Sequence, residues 1–504
     1  MKRIVGNNFF DLEMKYVWFS LVIGSVVGFF SSYGNHVLLF SLLIVLLAFF
    51  LLRYAVNLEK VFFSLFLLVI IIPKIPIIST SSRVAIRFED IFIVYLWVLA
   101  FIYILKKDIK VPKNTVFFWI GLYFLGALIS TSLGIFKGNV TNLFFFLRKI
   151  EYVSLFFFAY IVINKENIKK FYKLIFISFG IVLFVGMIQY SGILNQLGIT
   201  QLFVKYLQPM SSRFWVPLDA PTRSVSSTFD GNYDLGGYFI LTVPFFLLLY
   251  FAKNREYKKA ILLGFISSLI LLAFSGSRGP IIAIFLIILF VVIKHLFFST
   301  QRKMIKALFI SIIFLTLFVG GYKIFFKLFF KRSSNLIMIF QGDTANLNLK
   351  KLDESAYRRQ KHWIMSYNAF ITYPLFGMGM GAFSEYFVTP DGQYIQALGE
   401  TGLTGLILFL CMLFYIIKMN LRTKYYLKNL PQDRLNELSK NFIMALSLGI
   451  LGLMADSVTI SIFDSSKVAM CFWSFVGVAA KLNSIIKSEH SKLLSVSGGV
   501  HDGE

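Results

Sequence analysis

Apolar runs long enough to cross a lipid bilayer recur along the whole sequence, and they constrain its fold more than any other feature. A transmembrane helix needs about 20 mainly apolar residues, and only helices or closed barrels satisfy their backbone hydrogen bonds inside a membrane. The runs are continuous, whereas barrel strands alternate apolar and polar residues. Of the 504 residues 57% are hydrophobic and 15% are charged, so we predict an all-α polytopic membrane protein.

The length and position of these runs predict about fourteen transmembrane helices. A stretch with Lys2, Arg3 and Lys15 precedes the first run, and no small-residue cleavage site follows it, so we expect that run to be retained as a span rather than removed as a signal peptide. The predicted spans lie near residues 17–34, 36–52, 60–78, 90–105, 115–135, 142–163, 170–192, 236–252, 259–275, 280–297, 304–323, 398–418, 441–460 and 466–482.

Basic residues indicate how the chain is oriented, because cytoplasmic loops of membrane proteins are enriched in Lys and Arg. With the N-terminus in the cytoplasm, most Lys and Arg residues fall on the inner side, and both termini are predicted to be cytoplasmic. The net charge of +25 is explained in this way, so no nucleic-acid partner is predicted.

Two long segments between predicted spans, 193–235 and 324–397, exceed the short turns that a packed bundle needs, and we expect function to be built there. Both are predicted to be extracytoplasmic. The predicted organisation is helices 1–7 in 1–192, a first loop in 193–235, helices 8–11 in 236–323, a large loop in 324–397, helices 12–14 in 398–482 and a cytoplasmic tail in 483–504.

The residues typical of cofactor sites have no suitable spacing. Cys411 and Cys471 both lie in apolar runs, and the five histidines show no metal-ligand pattern. The sequence also lacks a phosphate-binding loop of the Gly-x-x-x-x-Gly-Lys type. We therefore predict no metal and no cofactor.

Two arginines at or within predicted spans are candidates for binding an anion. Arg278 lies in the turn Ser275-Gly276-Ser277-Arg278-Gly279-Pro280, where open backbone amides and a guanidinium can hold a phosphate. The alternative is a tight turn whose arginine reaches the membrane interface. Arg148 lies inside the sixth span, where charges are functional by default, although Glu151 at i+3 could neutralise it locally.

Both long loops carry further candidates. In the first, Arg223 precedes the turn Phe229-Asp-Gly-Asn232, although a loop arginine is usually just solvated. In the second, Arg359 and Trp363 share one face of an amphipathic stretch that could also simply lie on the membrane surface. The glycine-rich turn Pro374–Gly381 that follows lets backbone approach backbone or ligand closely.

A polar stripe runs from the second loop into the next apolar span. Gln393, Gln396 and Glu400 are spaced i, i+3, i+7 and therefore share one helical face. A carboxylate such as Glu400 inside the membrane is expected to have a function. Asp391, just before the stripe, is either a helix cap or a functional carboxylate.

Taken in order, these motifs resemble the O-antigen ligase and Wzy polymerase superfamily. The resemblance covers roughly residues 85–420 and rests on the following segments: Arg87-Phe-Glu-Asp90, Arg223 to Asn232, Ser275-Gly-Ser-Arg278-Gly, Arg359-x-x-x-Trp363, Pro374-Leu-Phe-Gly377-Met-Gly379 and Tyr394-Ile-Gln396-Ala-Leu-Gly-Glu400-Thr-Gly402-Leu-x-Gly405.

The resemblance implies a glycosyltransferase that uses an undecaprenyl-diphosphate-linked glycan as donor, without nucleotide sugar or metal. It implies that Arg223 and Arg278 contact the donor diphosphate. Ligases of this family carry a His nine residues before the Glu of the final motif, and this chain has Asp391 there. The departure favours a polymerase over a ligase.

Chemistry supports these assignments. Guanidinium groups can stabilise a diphosphate leaving group without a metal, and a partly desolvated carboxylate can accept a proton from a sugar hydroxyl. We favour Asp391 as that base and expect Glu400 to orient Arg278 or Arg223. The predicted catalytic residues are Asp391, Arg278 and Glu400, and the predicted substrate-binding residues are Arg223, Arg278, Arg148, Arg359, Tyr394 and Gln396.

The first hypothesis is a polymerase of surface polysaccharide (O-antigen, capsule or exopolysaccharide) in the bacterial cytoplasmic (inner) membrane. The alternative within the same chemistry is a ligase that moves finished glycan to lipid A core, a protein or a wall polymer. A lipid-linked oligosaccharide flippase is the alternative of another class, although such a protein should show two similar halves, which this sequence lacks. The predicted partners are the lipid-linked donor and acceptor, membrane lipid, a chain-length regulator and a flippase.

Overall fold

The structure is a computed structural model that describes residues 57–71, 76–81, 84–105, 114–191, 224–252, 258–298, 354–383, 390–431 and 433–498, together with positions 305, 308, 310 and 312. Long helices dominate this part of the chain. They are α1 (Leu58–Ile71), α2 (Phe88–Leu105), α3 (Thr115–Phe136), α4 (Thr141–Val162), α5 (Ile168–Ser191), α6 (Asn232–Phe251), α7 (Lys258–Ser275), α8 (Arg278–Phe298), α9 (Glu354–Thr372), α10 (Gln393–Lys428), α11 (Arg434–Asp456) and α12 (Ser466–Gly498).

Among these residues, eight helices are long and apolar enough to cross a membrane, namely α3, α5, α6, α7, α8, α10, α11 and α12. Each coincides with one of the predicted spans, so the chain is a helical multi-pass membrane protein. Helices also form at the predicted spans 90–105 and 142–163, as α2 and α4. The predicted spans 17–34 and 36–52, and all but four positions of 304–323, lie outside the described residues.

The prediction of a third span over 60–78 is wrong at its end, where residues 76–78 belong to a strand. Helix α1 ends at Ile71, and an antiparallel hairpin follows, with β1 (Pro76–Ser81) paired to β2 (Val84–Arg87). Proline has no amide hydrogen to continue a helix, and this run contains Pro73 and Pro76. Helices make up all the other regular structure that is described, so the predicted all-α class holds with this one hairpin as a local exception.

Helix α6 lies at the centre of the bundle and packs on α7, α8, α11 and α12. Nearly all of its residues are buried, including Tyr238 and Phe239, and the aromatic ring of Phe229 packs beside Tyr238. The outer helices instead expose apolar side chains such as Phe118 and Phe414, as expected where lipid surrounds a bundle.

Three structural features meet at one end of this bundle. Helix α10 is kinked at Gly402, which has a φ of 66° and a ψ of −168°. Helix α9 packs on α10, and the segment between α11 and α12, here called the 457–465 turn, contains a short 3-10 helix at Ile462–Asp464. The predicted site residues are grouped around these features.

Candidate functional site

The polar stripe at the start of α10 forms a buried network around one carboxylate. Gln396 donates to Asp464 Oδ2 at 2.9 Å and to Glu400 Oε1 at 3.0 Å. Gln393 donates to Asp464 Oδ1 at 3.3 Å and accepts from the amide of Phe463 at 3.1 Å. The i, i+3, i+7 spacing therefore places all three stripe residues on one buried face, and Asp464 joins that face to the 457–465 turn.

A lysine from α4 completes this network. The Lys149 ammonium pairs with the Asp464 carboxylate and also attracts the buried carboxylate of Glu400. Sequence reasoning missed Asp464. A signal was present, because Asp464 is an acidic residue in a short polar turn between two apolar runs. The positive charge of Lys149 partly offsets the two carboxylates, and Asp464 fixes the helix face that carries Glu400 by accepting from Gln393 and Gln396.

The glycine-rich turn packs its backbone against the kink of α10. The amides of Met378 and Gly379 donate to the carbonyls of Gly399 and Glu400 at 3.0 and 2.9 Å, and the amide of Leu403 donates to Pro374 at 2.8 Å. The close packing needs glycine on both sides: a Cβ on Gly377 would lie 2.4 Å from the carbonyl group of Glu400, and one on Gly402 would lie 2.5 Å from that of Leu375. The glycines were predicted to let backbone approach either backbone or a ligand. The structure shows the approach of backbone to backbone.

Asp391 does not cap α10, so that alternative is wrong. The N-cap is Gly392, which has a φ of 96° and no side-chain hydrogen bond. The Asp391 carboxylate instead accepts from Arg359 Nε at 3.3 Å through Oδ2, while its carbonyl accepts from Trp363 Nε1 at 2.6 Å. Arg359 and Trp363 thus use their shared face of α9 to hold Asp391.

The Asp391 carboxylate keeps access to solvent, since its side chain is 36% exposed and that of Arg359 is 27% exposed. Within the described part of the chain, no residue donates a hydrogen bond to Asp391 Oδ1. The arrangement therefore orients a carboxylate with one oxygen open to a further hydrogen-bond donor, which is the geometry that a general base requires.

The Arg278 turn is tied to the end of the first long loop. Asn232 donates to the carbonyl of Ser275 at 2.8 Å, and the amide of Val225 donates to that of Phe274 at 3.2 Å. The turn itself uses Gly276 at a φ of 65°, and Arg278 is partly buried at the first position of α8. Two motifs that lie far apart in the sequence are thereby joined. Arg223 lies outside the described residues.

The end of α11 and the 457–465 turn connect the Arg278 turn to Asp391. Gly279 lies against the side chain of Asp456, the last residue of α11, and a Cβ there would collide with it. The amide of Gln393 donates to Ser457 at 2.8 Å, and Ser461 Oγ donates to the carbonyl of Pro390 at 2.9 Å. The predicted arginine and carboxylate motifs therefore flank the same segment at one end of the bundle.

The two remaining predicted residues, Arg148 and Tyr394, bond to other parts of the bundle. Arg148 donates to Asp90 at 2.6 Å and to Glu151 at 2.7 Å, a geometry that matches the locally neutralised alternative. Tyr394 donates its hydroxyl to the carbonyl of Met454 at 2.6 Å, which ties α10 to α11. Their roles in substrate binding stay predictions. Among the described residues, no three His, Cys, Asp or Glu side chains come together in a group that could hold a metal ion.

Residues 239–410 match the family model described as O-Antigen ligase. The matched segment contains Arg278, Arg359, Asp391 and Glu400, and it confirms the resemblance to the O-antigen ligase and Wzy superfamily that the motifs indicate. It supports a function of the O-antigen ligase or polymerase type, hence a glycosyltransferase-like enzyme. A search of curated proteins finds no match.

Proposed function

We propose that this chain is a polysaccharide polymerase that transfers a growing glycan from undecaprenyl diphosphate onto the next lipid-linked repeat unit. The observation that carries the proposal is the position of Asp391. It occupies the place where ligases of the family have a histidine, does not cap the helix, and is oriented by Arg359 and Trp363. A carboxylate base is thus held in place of the ligase histidine.

Donor activation is assigned to the two arginines that the resemblance places on the diphosphate, Arg278 and Arg223. Transfer breaks the bond between the anomeric carbon and the diphosphate oxygen, so negative charge develops on the leaving group. A guanidinium stabilises that charge by two parallel hydrogen bonds, and it does so strongly in a site with little water. The bonds from Val225 and Asn232 to the Arg278 turn support pairing these two arginines in one site.

Acceptor activation is assigned to Asp391. The acceptor hydroxyl oxygen forms the new bond to the anomeric carbon, and its proton passes to Asp391 Oδ1 and from there to solvent or to the released diphosphate. Arg359 holds the carboxylate in this orientation through Oδ2. Glu400 and Gln396 are given a supporting role, because Glu400 Oε1 and the amide nitrogen of Gln396 already bond within the network around Asp464.

A ligase that delivers finished glycan to lipid A core, a protein or a wall polymer is the second candidate. It would use the same donor chemistry, and the family match supports it equally. The Asp391 geometry is the observation that favours the polymerase. A flippase stays the alternative of another class, and the exposed and oriented carboxylate at the bundle end is better suited to group transfer than to transport.

The proposal places the protein in a bacterial cytoplasmic membrane with both termini inside and the site on the outer face. There it would take its lipid-linked substrates from a flippase and work with a chain-length regulator. Fourteen spans and extracytoplasmic loops at 193–235 and 324–397 belong to this proposal.

Deletion of the gene tests the activity, with the surface glycan and the lipid-linked pool run on gels. A polymerase mutant should attach single repeat units to the anchor. Long chains stranded on the carrier would instead indicate a ligase. Accumulation of single repeats on the cytoplasmic leaflet, with nothing at the surface, would indicate a flippase.

A further inference from the structure

Helix α9 has an apolar face that no described part of the protein covers. The side chains of Ile364, Tyr367 and Ile371 are 53%, 54% and 60% exposed, and Leu375, just past the helix, is 61% exposed. The spacing i, i+3, i+7 puts the first three on one helical face. These four residues are here called the exposed stripe.

The exposed stripe is separate from the face that holds the site. Arg359 and Trp363 point to Asp391, and Ser366 and Ala369 are buried. Exposed polar residues, Lys361 and Asn368, lie on the far side of the stripe from the site face. The helix therefore has a site face, an apolar face and a polar face, as helices that lie in the plane of a membrane interface do.

The apolar surface continues from the stripe onto membrane-spanning helix α10. The amides of Leu403 and Thr404 donate to the carbonyls of Pro374 and Leu375 at 2.8 and 3.2 Å. Leu403 is 44% exposed and Ile407, one turn further, is 49% exposed. The residue that ends the stripe is thus fixed beside the exposed side of a candidate span.

A second candidate span, α3, also lies beside the end of α9. The Lys137 ammonium lies 3.1 Å from the centre of the Tyr373 ring, immediately after α9. Beside Lys137, Phe136 is 88% exposed at the end of α3, and Val140 is 58% exposed before α4. The end of α9 therefore lies beside exposed apolar residues of two candidate membrane helices, α3 and α10.

We propose that α9 is an interfacial helix whose exposed stripe inserts into the acyl chains of the leaflet next to the site. Its apolar face would then lie about 5–10 Å below the headgroup boundary. The occupant is lipid rather than a protein because the stripe is continuous with apolar surface on two membrane helices. One consequence rests on the proposed function: the membrane would set the height of Arg359 and Asp391 at the headgroup level, where the diphosphate of a lipid-linked donor lies.

Fluorescent labels test the insertion without reference to activity. The full chain, with Cys411 and Cys471 replaced by alanine, is purified into nanodiscs with a single environment-sensitive label at Ile364→Cys, Tyr367→Cys or Ile371→Cys. Lys361→Cys and Asn368→Cys on the polar face are matched controls. Stripe labels should be quenched by nitroxide lipids and protected from aqueous iodide, and the controls should show the reverse.

Two results would overturn the proposal. Stripe labels that iodide quenches as fully as the controls would mean that the stripe faces water. Stripe labels that neither quencher reaches would mean that protein rather than lipid covers it. A charge provides a further check: Ile371→Asp should move the label at position 364 from lipid-quenched to iodide-quenched, whereas Asn368→Asp should leave it lipid-quenched. If the labels show the expected quenching but the protein has no transferase activity, the insertion of α9 is supported and only the proposed function is contradicted.

Discussion

Arg359 donates a 3.3 Å hydrogen bond to the carboxylate of Asp391, across 32 residues of sequence. The pair lies at the mouth of α10, where Trp363 also holds the Asp391 carbonyl. The carboxylate neither caps the helix nor forms a buried ion pair. In the proposed function it is therefore available to a substrate hydroxyl. The proposed activation of the acceptor hydroxyl depends on this pair.

Arg278 should not tolerate lysine. A lysine ammonium is a point charge and cannot reproduce the forked contact of a guanidinium to a diphosphate. We expect Arg278→Lys to lower glycan transfer by about 100-fold or more, the size of effect seen when one donor to a developing oxyanion is lost. Chain length on gels at matched protein level measures it. Arg422→Lys, at an exposed position of α10, is the control, and full-length glycan in Arg278→Lys would remove this residue from the site.

Lys149 and Asp464 should be energetically coupled. Each single change to alanine leaves a partly buried charge without its partner, whereas the double change removes both charges. A double-mutant cycle on thermal unfolding in detergent should therefore give a coupling of about 0.5–3 kcal/mol. Additive effects would show that Asp464 does not hold α4 and α10 together.

Gly402 should be intolerant of alanine. Its φ of 66° is strained for any residue with a Cβ, and that Cβ would lie 2.5 Å from backbone atoms of Leu375. We expect Gly402→Ala to destabilise the protein by about 1–3 kcal/mol. Gly180→Ala is the matched control, because nothing lies within 4 Å of a Cβ there, and it should be neutral or stabilising. Equal melting temperatures for the two variants would contradict the packing described for the kink.

The proposed topology places the loop 324–397 on the outer face of the cytoplasmic membrane. A cysteine at Asp343→Cys, in a chain whose native cysteines are replaced, should react with a membrane-impermeant maleimide in intact cells. A cysteine at Lys428→Cys, at the end of α10, should react only after permeabilisation. The reverse pattern would put the site on the cytoplasmic face and exclude a donor presented on the outer leaflet.

Local patterns in the sequence were enough to predict which residues share a helix face. Apolar runs marked the eight candidate spans of the described residues, and helical spacing put Gln393, Gln396 and Glu400 on one face. The same spacing put Arg359 and Trp363 together, although it could not identify Asp391 as what they hold. The sequence misled where a local rule was overridden: an Asp before a helix usually caps it, yet a glycine does so here.

Contacts between distant segments could not be predicted. Asp464 lies 68 residues from Gln396 and 315 from Lys149, and no local pattern relates such positions. The end of α11 and the 457–465 turn join the Arg278 turn to Asp391. This connection also depends on how the helices pack, which no local pattern predicts. The strand that begins at Pro76 lies in a run that is otherwise apolar. Hydropathy alone predicted a span there, because it does not take into account that proline ends a helix.

Conversion of Asp391 to asparagine tests the central claim most directly. The amide keeps the shape of the side chain but loses its basicity, so purified Asp391→Asn in liposomes should bind the lipid-linked donor normally while polymer formation falls by about 100- to 10,000-fold, the range for loss of a general base. Glu400→Gln should instead weaken donor binding or stability. Polymer of wild-type length and rate from Asp391→Asn would contradict the account and show that this carboxylate is not the base.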